Sequence, residues 1–146
     1  MQAPEWPNRS HYSDLIGLRL EHREDGAAQV SVEIAGAHCN TNGTAHGGVV
    51  TSLVDTACGA AMAYQPSIGG NGVATVSIQV SYLAPVFVGD VLTAASRCRG
   101  RGRRLLTMDA EVKNQKGEVV AIGICTLRVR SSGKVVSRGG NSDPSG

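Results

Sequence analysis

The chain has 146 residues, of which 18% are charged and 41% apolar, with 14 Lys and Arg against 12 Asp and Glu. A single domain of this length buries roughly two-thirds of the surface its unfolded form exposes. This composition excludes intrinsic disorder, collagen-like repeats and a coiled coil, and a net charge of +2 supplies no global field toward nucleic acid or membrane.

Residues 1–13 read as a loosely structured lead-in, with neither the basic start nor the apolar run of a secretory signal. From Gly17 to Glu24, Leu18, Leu20 and His22 alternate with Arg19, Glu21 and Arg23, the period of a strand. Asp25-Gly26 signals a hairpin turn, and Ala27 to Ile34 alternates again with Val30, Val32 and Ile34 on one face. A polar loop, Gly36 to Thr44, follows. From about His46 to Tyr64 the period changes: Val49, Val50, Leu53, Val54, Ala57, Ala60 and Ala61 recur at helical spacing until Pro66. Apolar residues occupy far more than one stripe, which predicts a helix wrapped on most sides. Four alternating segments complete the domain: Val73–Ala84, Val91–Arg99, Arg103–Asn114 and Glu118–Arg130. One apolar helix followed by four strands with short turns predicts an α+β domain over residues 14–130, a curved antiparallel sheet around one central helix. Residues 131–146 are rich in Ser, Gly, Asn and Pro and are expected to be disordered.

Two features carry chemistry. Asp55 interrupts an apolar helix, where Asp is a poor residue and is rarely buried without a partner. Such a carboxylate is either a base prepared by its surroundings or a helix-edge residue bonded to a neighbouring strand. His46-Gly47-Gly48 stands where the polar loop becomes the helix, so the first backbone N–H groups lack helical acceptors. Glycine lets a foreign oxygen approach them, and the helix dipole favours negative charge there. This is what an oxyanion hole requires; the plainer alternative is a loop-to-helix transition with His46 near the cap.

Taken together, Asn40-Thr41-Asn42-Gly43-Thr44-Ala45-His46-Gly47-Gly48, then Leu53 and Asp55, resemble the signature of the hotdog-fold acyl-CoA thioesterases. The match is best to the PaaI-type branch, named for a phenylacetate-degradation thioesterase and including some 4-hydroxybenzoyl-CoA thioesterases. Looser similarity continues through Val80-Ser81-Tyr82-Leu83-Ala84-Pro85, Gly89-Asp90 and Gly117. The resemblance implies a hotdog fold hydrolysing an acyl-CoA with an aromatic or medium-chain acyl group. Asp55 then matches the catalytic carboxylate, acting on water or on the thioester carbonyl itself. The Gly47 N–H matches the donor that polarises that carbonyl, with Gly48 beside it, and Asn40 and His46 match polar groups that orient thioester or water. Thr75 aligns with a supporting hydroxyl if the 65–72 loop is about two residues longer than in close relatives, with Ser77 as the fallback. The family's site lies between subunits, which implies a homodimer or homotetramer.

The expected chemistry needs no cofactor, because a thioester is already activated toward acyl transfer. His38, Cys39 and His46 are ligand types, but their spacing matches no common zinc site. No G-x-S-x-G elbow, Rossmann glycine pattern or Walker loop occurs. Arg97, Arg99, Arg101, Arg103 and Arg104 form the one basic cluster. Spacing of two puts the first four on one side of an extended chain unless Gly100 and Gly102 bend it. Arg101 and Arg103 are then candidates for the phosphates of coenzyme A, against a solvated hairpin tip. Nucleic acid ranks below both, for want of interleaved aromatics.

The alternatives to a thioesterase are a hydratase or dehydratase of the same fold and a non-catalytic acyl-CoA-binding domain. The first uses local motifs absent from this sequence, and the second has no need of a carboxylate beside a thioester. Four widely spaced cysteines without C-x-x-C spacing suit reduced thiols, and the longest apolar stretch, Val49 to Ala63, is too short for a bilayer. A cytoplasmic protein is expected.

Overall fold

The computed structural model describes residues 2–131, so all but Ser131 of the expected tail lies outside the described residues. The elements are α1 (His11–Leu15), β1 (Arg19–Glu24), β2 (Ala27–Glu33), α2 (Gly47–Met62), β3 (Val73–Tyr82), β4 (Val91–Arg101), β5 (Leu105–Lys113) and β6 (Val119–Val129). The strands form one sheet in the order β1-β2-β4-β5-β6-β3, every neighbouring pair antiparallel.

Alternation along the strands gives one face to the helix. Leu92, Ala94 and Ser96 of β4, Leu106, Met108, Ala110 and Val112 of β5, and Ala121, Cys125 and Leu127 of β6 are all buried on it. The helix approaches closely because side chains are small at the contact. A Cβ on Gly123 would sit 2.7 Å from Val54 Cγ1, so α2 reaches this depth only over a glycine. The buried Ser96 hydroxyl donates to the Ala57 carbonyl at 2.7 Å and ties sheet to helix. A hydroxyl in an apolar interior requires such a partner.

Both ends of α2 are held from outside. At the start, His46 is the N-cap and its Nδ1 accepts the Gly48 N–H at 2.8 Å. At the end, Arg23 on β1 donates through Nε to the Ala60 carbonyl at 2.8 Å and through Nη2 to the Ala63 carbonyl, while the Gly26 N–H reaches Ala61 at 3.0 Å. These donors satisfy orphan carbonyls, and the guanidinium opposes the negative end of the helix dipole. Val49, Val50, Leu53, Val54, Ala57, Cys58 and Ala60 to Met62 are buried, as the apolar spread around the helix predicts.

Two expectations are refined. Residues 2–10 of the lead-in form no helix or strand, while its last residues enter the domain: Ser10 caps α1 and Ser13 is buried, and Trp6 packs against the core. Its composition hid this, because the contacts are made by hydroxyls and one aromatic rather than by an apolar period. The arginines of β4 do not share a side. The β4–β5 register slips between Cys98 and Gly100, so Arg97 pairs opposite Asp109 on the outer face while Arg101 pairs opposite the buried Leu106 on the helix face. No helix among the described residues is long and apolar enough to cross a membrane.

Candidate active site

Asp55 lies on the part of α2 that the sheet leaves half-buried, facing edge strand β3. Its Oδ1 accepts the Thr75 hydroxyl at 2.6 Å. The β3–β6 register shifts between Thr75 and Ser77, so Thr75 stands opposite buried Leu127 and Ser77 opposite Thr126 on the other face. Thr75, not Ser77, therefore meets the carboxylate. Val76 is the extra residue, and it is 57% exposed.

Beneath this pair lie Cys58 and Cys125, both fully buried free thiols. The hydrogen bond between them, with burial and the nearby Asp55 charge, pushes the Cys58 thiol far up. A protonated, enclosed thiol is packing rather than a nucleophile.

The start of α2 presents the second half of the arrangement. The Gly48 N–H is already taken by His46, which removes it as a free donor, contrary to the expectation from the sequence. The Gly47 N–H has no acceptor among the described residues. Gly47 is pinned by Tyr82, whose hydroxyl donates to the Gly47 carbonyl at 2.9 Å and lies 2.6 Å from Thr51 Oγ1. A Cβ on Gly47 would lie 3.1 Å from the Tyr82 ring, so the glycine makes room for this clamp. Neutral His46, accepting at Nδ1, carries its proton on Nε2, where it can donate outward.

Asn40 shapes the loop before the helix. Its Oδ1 accepts the backbone N–H groups of Asn42 at 2.9 Å and Thr44 at 3.3 Å, and its Nδ2 donates to Thr44 Oγ1 at 3.0 Å. One amide hydrogen is left for another partner. His38 and Cys39 are structural: the His38 Nδ1 accepts the Ala35 N–H, its Nε2 meets the Ile16 carbonyl at 2.8 Å, and Cys39 Sγ lies 3.6 Å from the Ala35 oxygen.

The arginines divide. Arg101 donates to Ser67 Oγ at 2.7 Å and pairs with Asp25 at 3.5 Å, near the end of α2. Arg99 pairs with Asp109 on the outer face at 2.6 Å. Arg103 is exposed at the hairpin tip and makes no hydrogen bond or ion pair among the described residues. A depression of about 570 Å³ on the outer face, between Arg97, Arg99 and Ile124, holds neither Asp55 nor Gly47. Asp55 and Thr75 instead line a cavity of about 240 Å³ shared with Asn8, Tyr12 and Ser52. Sequence reasoning missed Tyr12, Ser52 and the clamping role of Tyr82; a helical stripe of small polar residues, Ser52, Asp55, Thr56 and Gly59, is the signal that points to Ser52.

A six-stranded antiparallel sheet curled on one long helix, with a hydroxyl-supported carboxylate on that helix, defines a hotdog-fold protein with a candidate hydrolytic site. The chain belongs to the Thioesterase superfamily, whose family model matches residues 42–121. It is 30% identical over 107 residues to the acyl-coenzyme A thioesterase PaaI of Escherichia coli K12, covering 73% of this chain and 74% of that protein. The solved structure of E. coli PaaI, from the phenylacetic acid degradation operon, superposes with a TM-score of 0.76 at 25% identity, over 84% of this chain and 86% of that one. A Streptococcus mutans UA159 protein solved bound to acetyl CoA superposes with a TM-score of 0.71 at 30% identity, over 80% and 91% of the two chains.

Proposed function

We propose that the protein hydrolyses acyl-CoA thioesters, with an aromatic or medium-chain acyl group, to the free acid and CoA. One observation carries this: Asp55, held by Thr75 in a cavity, shares a helix with the Gly47 N–H, which has no acceptor among the described residues. Eight residues of helix separate them by about 12 Å along the axis, too far for both to act on one carbonyl. The donor that completes the Asp55 site therefore comes from a second copy.

Edge strand β3 supports such an assembly. It runs ten residues with one neighbour in the sheet, and a long unpaired edge is a template for pairing with another chain. In the resulting homodimer, or a tetramer built from it, the Gly47 N–H of one copy polarises the thioester carbonyl beside Asp55 of the other. The helix dipole and the fixed orientation of that N–H favour the negative charge that develops on oxygen. Asp55 takes a proton from water as the water attacks the carbonyl carbon; the C–S bond then breaks and the thiolate recovers the proton. Alternatively the carboxylate attacks directly, and water cleaves the resulting anhydride. Asn40 and His46 each keep a donor for the thioester or the water. At the hairpin tip, Arg103 is the better candidate for a CoA phosphate, since Arg101 is engaged by Asp25 and Ser67. The four free thiols accord with a cytoplasmic setting.

The test is incubation of the purified protein with a panel of acyl-CoAs and a thiol reagent. Release of CoA is expected. A change at the double bond without CoA release identifies a hydratase instead, and binding without turnover identifies an acyl-CoA sensor.

A further inference from the structure

Ser52, Asp55, Thr56 and Gly59 stand at i, i+3, i+4 and i+7 on α2 and form a half-buried stripe. On one side the stripe is bordered by Val73 and Thr75 of β3. The N-terminal segment borders the other and closes the cavity of about 240 Å³. This segment is fixed in place. The Tyr12 hydroxyl lies 2.6 Å from Ser52 Oγ. Since the Ser52 proton is committed to the Gly48 carbonyl at 2.8 Å, Tyr12 is the donor in that pair. Behind α1, the His38 ring holds the Ile16 carbonyl at 2.8 Å, and the Leu18 N–H reaches Ser13 at 2.9 Å. At the other end of the stripe Gly59 has no side chain, and a Cβ there would lie 3.7 Å from Asn8 Nδ2. The buried Asn8 Oδ1 has no hydrogen-bond partner among the described residues.

We infer that the N-terminal segment is the wall that sets the size of the acyl group, with Tyr12 as a specificity-determining residue at one end and Asn8 facing Gly59 at the other. The inference rests on the thioesterase function proposed above. A thioester carbonyl in reach of Asp55 sits at the mouth of this cavity, within roughly 3–3.5 Å of the attacking atom. The acyl group then lies along the helical stripe, with Ser52 and Tyr12 at one end of the cavity and Gly59 and Asn8 at the other. Seven residues of helix, about 10 Å, run from Ser52 to Gly59 along the cavity, a length that suits one ring or a medium chain.

The experiment measures kcat/KM for benzoyl-, butyryl-, hexanoyl-, octanoyl- and decanoyl-CoA in the wild type, Tyr12→Ala and Gly59→Ala. Removing the ring widens the cavity, so Tyr12→Ala is expected to raise the decanoyl-to-butyryl ratio by about tenfold or more, the lower range for pocket discrimination by chain length. A methyl on Gly59 meets Asn8 at ordinary contact distance, so Gly59→Ala folds and lowers the same ratio. It carries the test alone if Tyr12→Ala does not fold. Tyr12→Phe keeps the ring, frees it from Ser52 and is expected to stay closer to wild type. Either shift in its expected direction supports the wall. Ratios within about threefold of wild type in every folded variant, with turnover retained, overturn it. A wild type that releases CoA from no substrate overturns the thioesterase function and this inference with it.

Discussion

The Thr75 hydroxyl reaches the Asp55 carboxylate, 2.6 Å away, because β3 carries one extra residue at Val76. A regular strand would put residues 75 and 77 on the same face. The bulge separates them, and it lies beside the carboxylate, where such irregularities often re-aim a side chain. Thr75→Val keeps the shape and removes the hydroxyl, and we expect kcat to fall by about tenfold through loss of carboxylate orientation. Thr75→Ser should restore most of it. Turnover by Thr75→Val equal to wild type would show that the hydroxyl serves packing alone.

Asp55 itself is the sharper test. Asp55→Asn is nearly isosteric and can still accept from Thr75, so fold and substrate binding should survive. We expect kcat to fall roughly a hundredfold or more, since base or nucleophile is gone. Circular dichroism and a CoA-binding measurement establish that the variant is intact. A folded variant with near wild-type turnover sinks the assignment.

The separation of Asp55 from Gly47 along one helix yields a prediction about assembly. Chains carrying Asp55→Asn and chains carrying Asn40→Ala should each be nearly inactive as homodimers. When the two are unfolded and refolded together, random pairing makes about half the dimers mixed, and each mixed dimer holds one intact site. Recovery of about a quarter of wild-type activity per site is expected. No recovery, with mixed dimers demonstrated by mass, would place the whole site within one chain.

Much of this was legible in the sequence, for identifiable reasons. Val30, Val32 and Ile34 alternate because one face of their strand meets the core, and all three are buried. The helix was legible because Val49, Leu53, Val54, Ala57 and Ala60 follow its period and are covered. The Asp55–Thr75 contact was legible only as an alignment, since a bulge leaves no mark in periodicity. The Arg97–Arg103 face depended on an unbent chain at Gly100, and one slip between Cys98 and Gly100 sends Arg101 to the opposite side. Tyr12 was invisible, because its bond to Ser52 joins residues forty apart through hydroxyls alone.

That division of the arginines separates their expected effects. Arg103 is free of protein partners among the described residues, so Arg103→Ala should raise KM for acyl-CoA and leave kcat nearly unchanged, as for a contact equal in ground and transition states. The effect should fade with salt, because exposed charges are screened within about 8–10 Å near physiological ionic strength. An acyl-pantetheine lacking the nucleotide should not distinguish the variant from wild type. Equal losses on both substrates would assign Arg103 a structural role.

Asp25 and Asp90 predict how stability depends on pH. The Ser67 hydroxyl, assisted by the Ser67 N–H and Arg101, holds the Asp25 carboxyl below its ordinary value of 3.8. The Phe87 N–H and the Gln115 amide do the same for Asp90. In the unfolded chain both groups return to their ordinary range, so on acidification the unfolded state binds protons first. The stabilisation they supply is therefore complete above the ordinary value and is lost as pH falls through it toward the lowered folded value. Melting temperature should hold steady from about pH 7 to 5 and decline below about pH 4. Ser67→Ala removes the largest contact acting on Asp25. The variant should melt below wild type at neutral pH, and the gap should narrow as pH approaches about 3, where both carboxyls are protonated in the unfolded chain. A gap that stays constant across this range would mean that Ser67 stabilises the β1–β2 turn by packing, with no contribution from the charge on Asp25.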